Sequence, residues 1–137
     1  MQPQETWSLA GLELTSRVLL GSARYPTAQI MFDAHHAADT QMVTVALRRV
    51  DVHASPDENL YVQLKKRGMH ILPNTAACYT AKDAILTAHL AREALDTPLI
   101  KLEVIGDEKT LLPDVEALLA ATKELVRDGF QVLPYTN

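Results

Sequence analysis

The chain has 137 residues, 47% of them hydrophobic and 22% charged, with a formal net charge of −4. That is one globular domain's worth of sequence and excludes a disordered or fibrous chain. No basic stripe appears, and two Phe, one Trp and four Tyr are too few and scattered for a base-stacking platform, so no nucleic-acid partner is expected. The single cysteine, Cys78, cannot close an intrachain disulfide, and no zinc-ligand spacing, secretory leader or bilayer-length apolar run is visible, so a cytoplasmic protein with no membrane contact is expected.

In chain order, two short apolar runs, Trp7–Ala10 and Leu12–Leu20, flank Gly11. They read as a small hairpin followed by a strand at Val18–Leu20 that ends on Gly21. Pro26 and Thr27 open a helix with Ile30, Met31, Ala34, Ala37 and Ala38 at helical spacing. Met42–Leu47, rich in β-branched residues, reads as a buried strand. After Arg48, Arg49 and a loop over Asp51–Asp57, a short helix over Asn59–Arg67 ends at Gly68. Met69–Leu72 is a strand stopped by Pro73-Asn74. Thr80 with Asp83 makes a capping box for a helix whose Ala81, Ala84, Ile85, Ala88 and Leu95 share a face. Pro98 precedes a strand over Leu99–Val104. Pro113-Asp114 starts a helix with Val115, Leu118, Leu119, Thr122, Leu125 and Val126 at helical spacing, ended by Gly129. Phe130–Tyr135 is a last strand.

This regular alternation implies βαβ units and a parallel α/β sheet within a single domain, 1–137. A doubly wound sheet with a dinucleotide fingerprint is excluded, because Gly21-Ser22-Ala23-Arg24-Tyr25 after the first strand carries one glycine. A (β/α)₈ barrel needs roughly 200 residues or more. The chain supplies about half of one and stops after a strand, so an incomplete barrel is expected.

Lys101 and Glu103 stand two apart in the 99–104 strand, so they share one face while Ile100, Leu102 and Val104 share the other. On a solvent face the pair is an ordinary salt bridge. Inside a closed sheet, desolvation favours the neutral, nucleophilic amine, and a lysine near a barrel strand's C-terminal end reads as catalytic. Asn74 and Thr75 follow a strand, where substrate contact and turn chemistry are equally natural. Cys78 reads as a small buried hydrophobe. Arg48 and Arg49 suit either an anionic ligand or a surface salt bridge. His35-His36 is read as solvated, and His53, His70 and His89 share no metal geometry.

Several stretches together resemble bacterial thiazole synthase. They are Ser16–Gly21, Thr44–Val50, Leu72–Ala76, Ile100–Asp107 with its extension Lys109–Asp114, and Gly129–Phe130 through Leu133–Asn137. They occur in family order and cover nearly the whole chain. The resemblance implies a (β/α)₈ TIM barrel of which about the first four and a half βα units are present, behind a short N-terminal hairpin. It implies a lysine imine, at the position of Lys101, with the ketone of 1-deoxy-D-xylulose 5-phosphate. Glu103 matches the carboxylate that moves protons as the imine isomerises. Sulfur comes from the thiocarboxylate of a small sulfur-carrier protein and the remaining atoms from dehydroglycine; no metal or cofactor is implied. A homo-oligomer is expected.

Two departures stand out. The family's Gly-Thr-Gly-Lys-Tyr is Gly21-Ser22-Ala23-Arg24-Tyr25 here, and its Thr-Ala-Gly-Cys is Thr75-Ala76-Ala77-Cys78. Alanine resists positive φ, so both turns are expected to be altered. The phosphate-holding loops of such barrels follow strands seven and eight, beyond Asn137, and the 137-residue chain is expected to be inactive alone. The alternatives are another Schiff-base, class I aldolase-like barrel or an inactive half-barrel.

Overall fold

The computed structural model describes residues 5–49, 55 and 59–137. The hairpin forms as read: β1 (Trp7–Leu9) and β2 (Leu12–Leu14) pair antiparallel. Ala10 and Gly11 between them both take positive φ, 50° and 80°, the requirement of a two-residue turn that follows the strands' twist. Five strands follow: β3 (Leu19–Gly21), β4 (Met42–Ala46), β5 (His70–Asn74), β6 (Leu99–Leu102) and β7 (Gln131–Pro134). They form one parallel sheet whose spatial order is the chain order. Helices α1 (Ala28–Ala37), α2 (Leu60–Lys66), α3 (Ala81–Leu95) and α4 (Val115–Arg127) make the crossovers.

Strand order that never reverses has no switch point, so right-handed crossovers put every helix on one face. The core reflects this. Val43, Val45 and Ile71 pack with Met31, Phe32, Leu64 and Leu95, and Ile100, Leu102 and Val104 pack with Ala84, Ala88, Ala91, Leu118, Ala121 and Leu125. The opposite face carries Met42, Leu72 and Leu99, closed at one end by Leu14 of the hairpin. A cavity of about 520 Å³ lies on that face. Leu19, Thr44, Leu72, Lys101 and Leu133 line it, one from each strand and both sheet edges included. A sheet whose two edges meet one cavity is bent around it.

The helix ends follow from their caps. Side chains of Thr27, Asn59, Thr80 and Asp114 accept the N–H three residues on in each case, satisfying a donor with no partner inside the helix. Gly68 and Gly129 take positive φ just past α2 and α4.

Five local readings need correction. β5 runs through Pro73 to Asn74 rather than stopping before them. Pro73 lacks the N–H that would meet the Leu99 carbonyl, so β5 and β6 register only at Asn74–Lys101; the Leu99 N–H donates to Thr97 Oγ1 (3.2 Å). The 99–104 strand ends at Leu102. In α1 the buried face is Met31, Phe32 and His35, while Ile30 and Ala37 are exposed. His35 is fully buried, not solvated: its Nε2–H donates to the Gly21 carbonyl (3.0 Å) and its ring meets Tyr25 edge-on. In α4 the six read positions span too wide an arc, and only Leu118, Ala121 and Leu125 are buried, with Val115, Leu119 and Val126 exposed. The read Asp51–Asp57 loop falls outside the described residues apart from Ser55. Among the described residues no helix is long and apolar enough to cross a membrane.

Candidate active site

β6 is the strand that arranges the chemistry. Ile100, Leu102 and Val104 are fully buried under α3 and α4. The alternation of side chains therefore forces Lys101 onto the cavity face, in the layer toward the C-terminal end of the strand from Leu99. Its side chain is 36% exposed and its Nζ lies 3.4 Å from Oε1 of Glu103, which is 13% exposed. Lys101 lines the 520 Å³ cavity; Glu103 lines an adjoining cavity of about 320 Å³ with Ala76, Ala77, Tyr79, Ile105 and Leu111.

Glu103 has left the hydrogen-bonded ladder, yet its backbone is held. The Thr75 hydroxyl donates to the Glu103 carbonyl (2.8 Å) and accepts from the Glu103 N–H (2.8 Å), and the Thr75 N–H donates to the Lys101 carbonyl (3.2 Å). Thr75 is wholly buried, so its hydroxyl acts as a substitute ladder that keeps Lys101 and Glu103 on the same face. Asn74 pairs with Lys101 in the register, and its Oδ1 accepts the Ala76 N–H (3.1 Å), an Asx turn. The structure thus brings Lys101, Glu103, Asn74 and Thr75 together at one end of the sheet.

The other candidates lie apart. Cys78 is buried, with Sγ 3.5 Å from Thr87 Oγ1. Arg48 is exposed in the single 3₁₀ turn after β4 and lines neither cavity; the Arg49 side chain and His53 lie outside the described residues. No three His, Cys, Asp or Glu side chains gather as a metal site among the described residues. Of the two altered turns, Ala77 itself takes φ 60°, whereas at the first it is Arg24, not Ala23, that takes positive φ (67°).

The sequence pattern marks Tyr135 only as the end of a strand. Its ring centroid lies 5.6 Å from Lys101 Nζ, and it lines both cavities. The only signal for it in the sequence is its place just past a strand's C-terminal end, where barrel sites gather. Chemically, the arrangement offers an amine for attack on a carbonyl and a carboxylate in reach of the protons that such an addition moves.

The family described as "Thiazole biosynthesis protein ThiG" matches residues 8–137. The thiazole synthase of Azorhizobium caulinodans is 54% identical over 129 residues, covering 94% of this chain and 48% of that protein. The thiazole synthase of Myxococcus xanthus is 47% identical over 131 residues, covering 96% and 50%. The chain spans about half the length of the curated relatives it matches. Among solved structures, the crystal structure of the Amycolatopsis orientalis BexX/CysO complex superposes with a TM-score of 0.78 over 96% of this chain and 54% of that one, at 24% identity, a likeness of fold. With its family match running from the first strand to the last residue, the chain belongs to the thiazole biosynthesis protein ThiG family.

Proposed function

We propose that this chain is the N-terminal part of a thiazole synthase built on a (β/α)₈ barrel, with Lys101 as its Schiff-base nucleophile. The Lys101 amine adds to the ketone of 1-deoxy-D-xylulose 5-phosphate and water leaves, forming an imine. Glu103 takes and returns protons as the imine isomerises. Sulfur then arrives from the thiocarboxylate end of a small sulfur-carrier protein, and dehydroglycine supplies the remaining ring atoms. The observation that carries this reading is the Lys101–Glu103 contact of 3.4 Å on the cavity face of β6, in a chain of this family. Thr75 serves as a positioning residue through its two bonds to Glu103, and Asn74 takes the place beside the amine.

The protein acts in the cytoplasm as a homo-oligomer, a reading supported by exposed apolar side chains on the outer helices, Leu86 and Leu90 on α3 and Val115 and Leu119 on α4. The phosphate is held by residues outside this sequence, so the chain alone turns over no substrate.

Borohydride trapping tests the assignment. The chain is incubated with the ketose phosphate, reduced, and mapped by peptide mass. The expected result is a stable secondary amine on Lys101 that Lys101→Ala abolishes. An adduct on another lysine, or none in a chain completed with the relatives' second half, overturns it.

A further inference from the structure

We infer that Tyr135 is a positioning residue for the amine: its ring, together with the Glu103 carboxylate, holds the Lys101 ammonium beside the larger cavity. The placement is fixed at both ends of the tyrosine. Its backbone N–H donates to the Leu102 carbonyl (2.8 Å), which ties it to the strand that bears the lysine. Its hydroxyl donates to the Leu111 carbonyl (3.2 Å) in the loop between β6 and α4. Between those anchors the ring sits 5.6 Å from Nζ, within the ~6 Å at which an ammonium is attracted to an aromatic face. The carboxylate of Glu103 holds the same nitrogen at 3.4 Å.

A lysine on a flexible stem that is 36% exposed otherwise spreads over many rotamers. Here two fixed surfaces confine the nitrogen and leave it the cavity lined by both edge strands. Ordering the amine before a carbonyl arrives is the part of the entropy cost that a site meets in its fold rather than at reaction. An iminium carries the same positive charge at the same place, so the ring favours it as well. As a role in catalysis this rests on the Lys101 reading above; as a contact it stands by itself.

The test separates the two. In the unaltered chain, and in Tyr135→Phe, the ε-methylene protons of Lys101 are expected upfield in the NMR spectrum from the ring current. In Tyr135→Leu the shift is lost. Borohydride trapping at Lys101 is expected to slow about threefold to fivefold in Tyr135→Leu and to hold in Tyr135→Phe, which keeps the ring and loses the tether to Leu111. Absence of the upfield shift in the unaltered chain overturns the inference, as does Tyr135→Leu trapping at the unaltered rate. Equal loss in both variants assigns the effect to the tether and overturns it too. A shift that is present without any adduct at Lys101, even in the chain completed with the relatives' second half, upholds the ring contact and sinks the Schiff-base assignment instead. Should Tyr135→Leu fail to fold, the shift in the unaltered chain and in Tyr135→Phe still decides.

Discussion

Thr75 shows how one hydroxyl holds a site in place. It is wholly buried, and its single oxygen both donates to and accepts from the backbone of Glu103. Thr75→Val keeps the shape and removes both bonds, leaving a polar N–H and C=O without partners; a loss of about 1–3 kcal/mol is expected in urea unfolding. If Thr75 touched only substrate, stability would not move and trapping alone would fall. Two residues on, Ala77 takes φ 60°, the left-handed region that favours glycine. An L side chain there costs about 1–2 kcal/mol, and glycine's extra unfolded-state freedom offsets about 0.4–1 kcal/mol of the relief. The first effect is larger, so Ala77→Gly is expected to raise the urea midpoint by the equivalent of about 0.5–1 kcal/mol. A lower midpoint would show that the turn is not strained by its alanine.

At the scale of elements, the loop from β6 to α4 is built to close tightly over the strand end. The N–H groups of Gly106 and Asp107 donate to the Leu112 carbonyl, and the Asp114 N–H donates to Val104. A Cβ on Gly106 would stand 3.1 Å from the Asp114 nitrogen and 3.2 Å from its Cα, backbone atoms that cannot swing aside. Gly106→Ala is therefore expected to destabilise by about 1–3 kcal/mol and to loosen the Asp114 cap of α4; thermal unfolding checks it. The Asp107 carboxylate accepts from the backbone N–H groups of Thr110 and Lys109, both at 2.8 Å. The Thr110 bonds first, then that of Lys109, hold its carboxyl below the usual carboxylate range. Because the folded value is the lower one, its contribution is present above the unfolded value of about 3.9 and is lost as pH falls through the folded value. The protection of the Thr110 amide, its exchange rate relative to the unstructured rate at the same pH, is expected to hold from neutrality to about pH 4 and to fall only below it. Loss of protection near pH 6 would place the transition on another group.

For the molecule as a whole, the decisive fact is that both edge strands, β3 and β7, line one cavity. Their outer N–H and C=O groups are open to further pairing, and the relatives extend about as far again as this chain. Joining the chain to the remaining half of the Azorhizobium caulinodans relative is expected to raise imine trapping at Lys101 on the order of tenfold, because the ketose phosphate is then held while the amine attacks. Equal trapping with and without the second half would show that the five strands bind the substrate unaided.

The order of elements, their caps and the sharing of one face by Lys101 and Glu103 were legible in the amino-acid sequence, because each depends on neighbours a few residues away. Thr80 caps α3 through Asp83, as its spacing implies, and a period of two puts Lys101 opposite Ile100 and Leu102 whatever surrounds them. What lies across from a side chain depends on segments distant in the chain. That the cavity face belongs to Lys101, that Thr75 replaces the ladder beyond Leu102, that His35 is buried against Gly21 and that the Tyr135 ring meets the amine are all consequences of parallel register and sheet curvature. Local pattern determined which residues travel together; only packing decided what they meet.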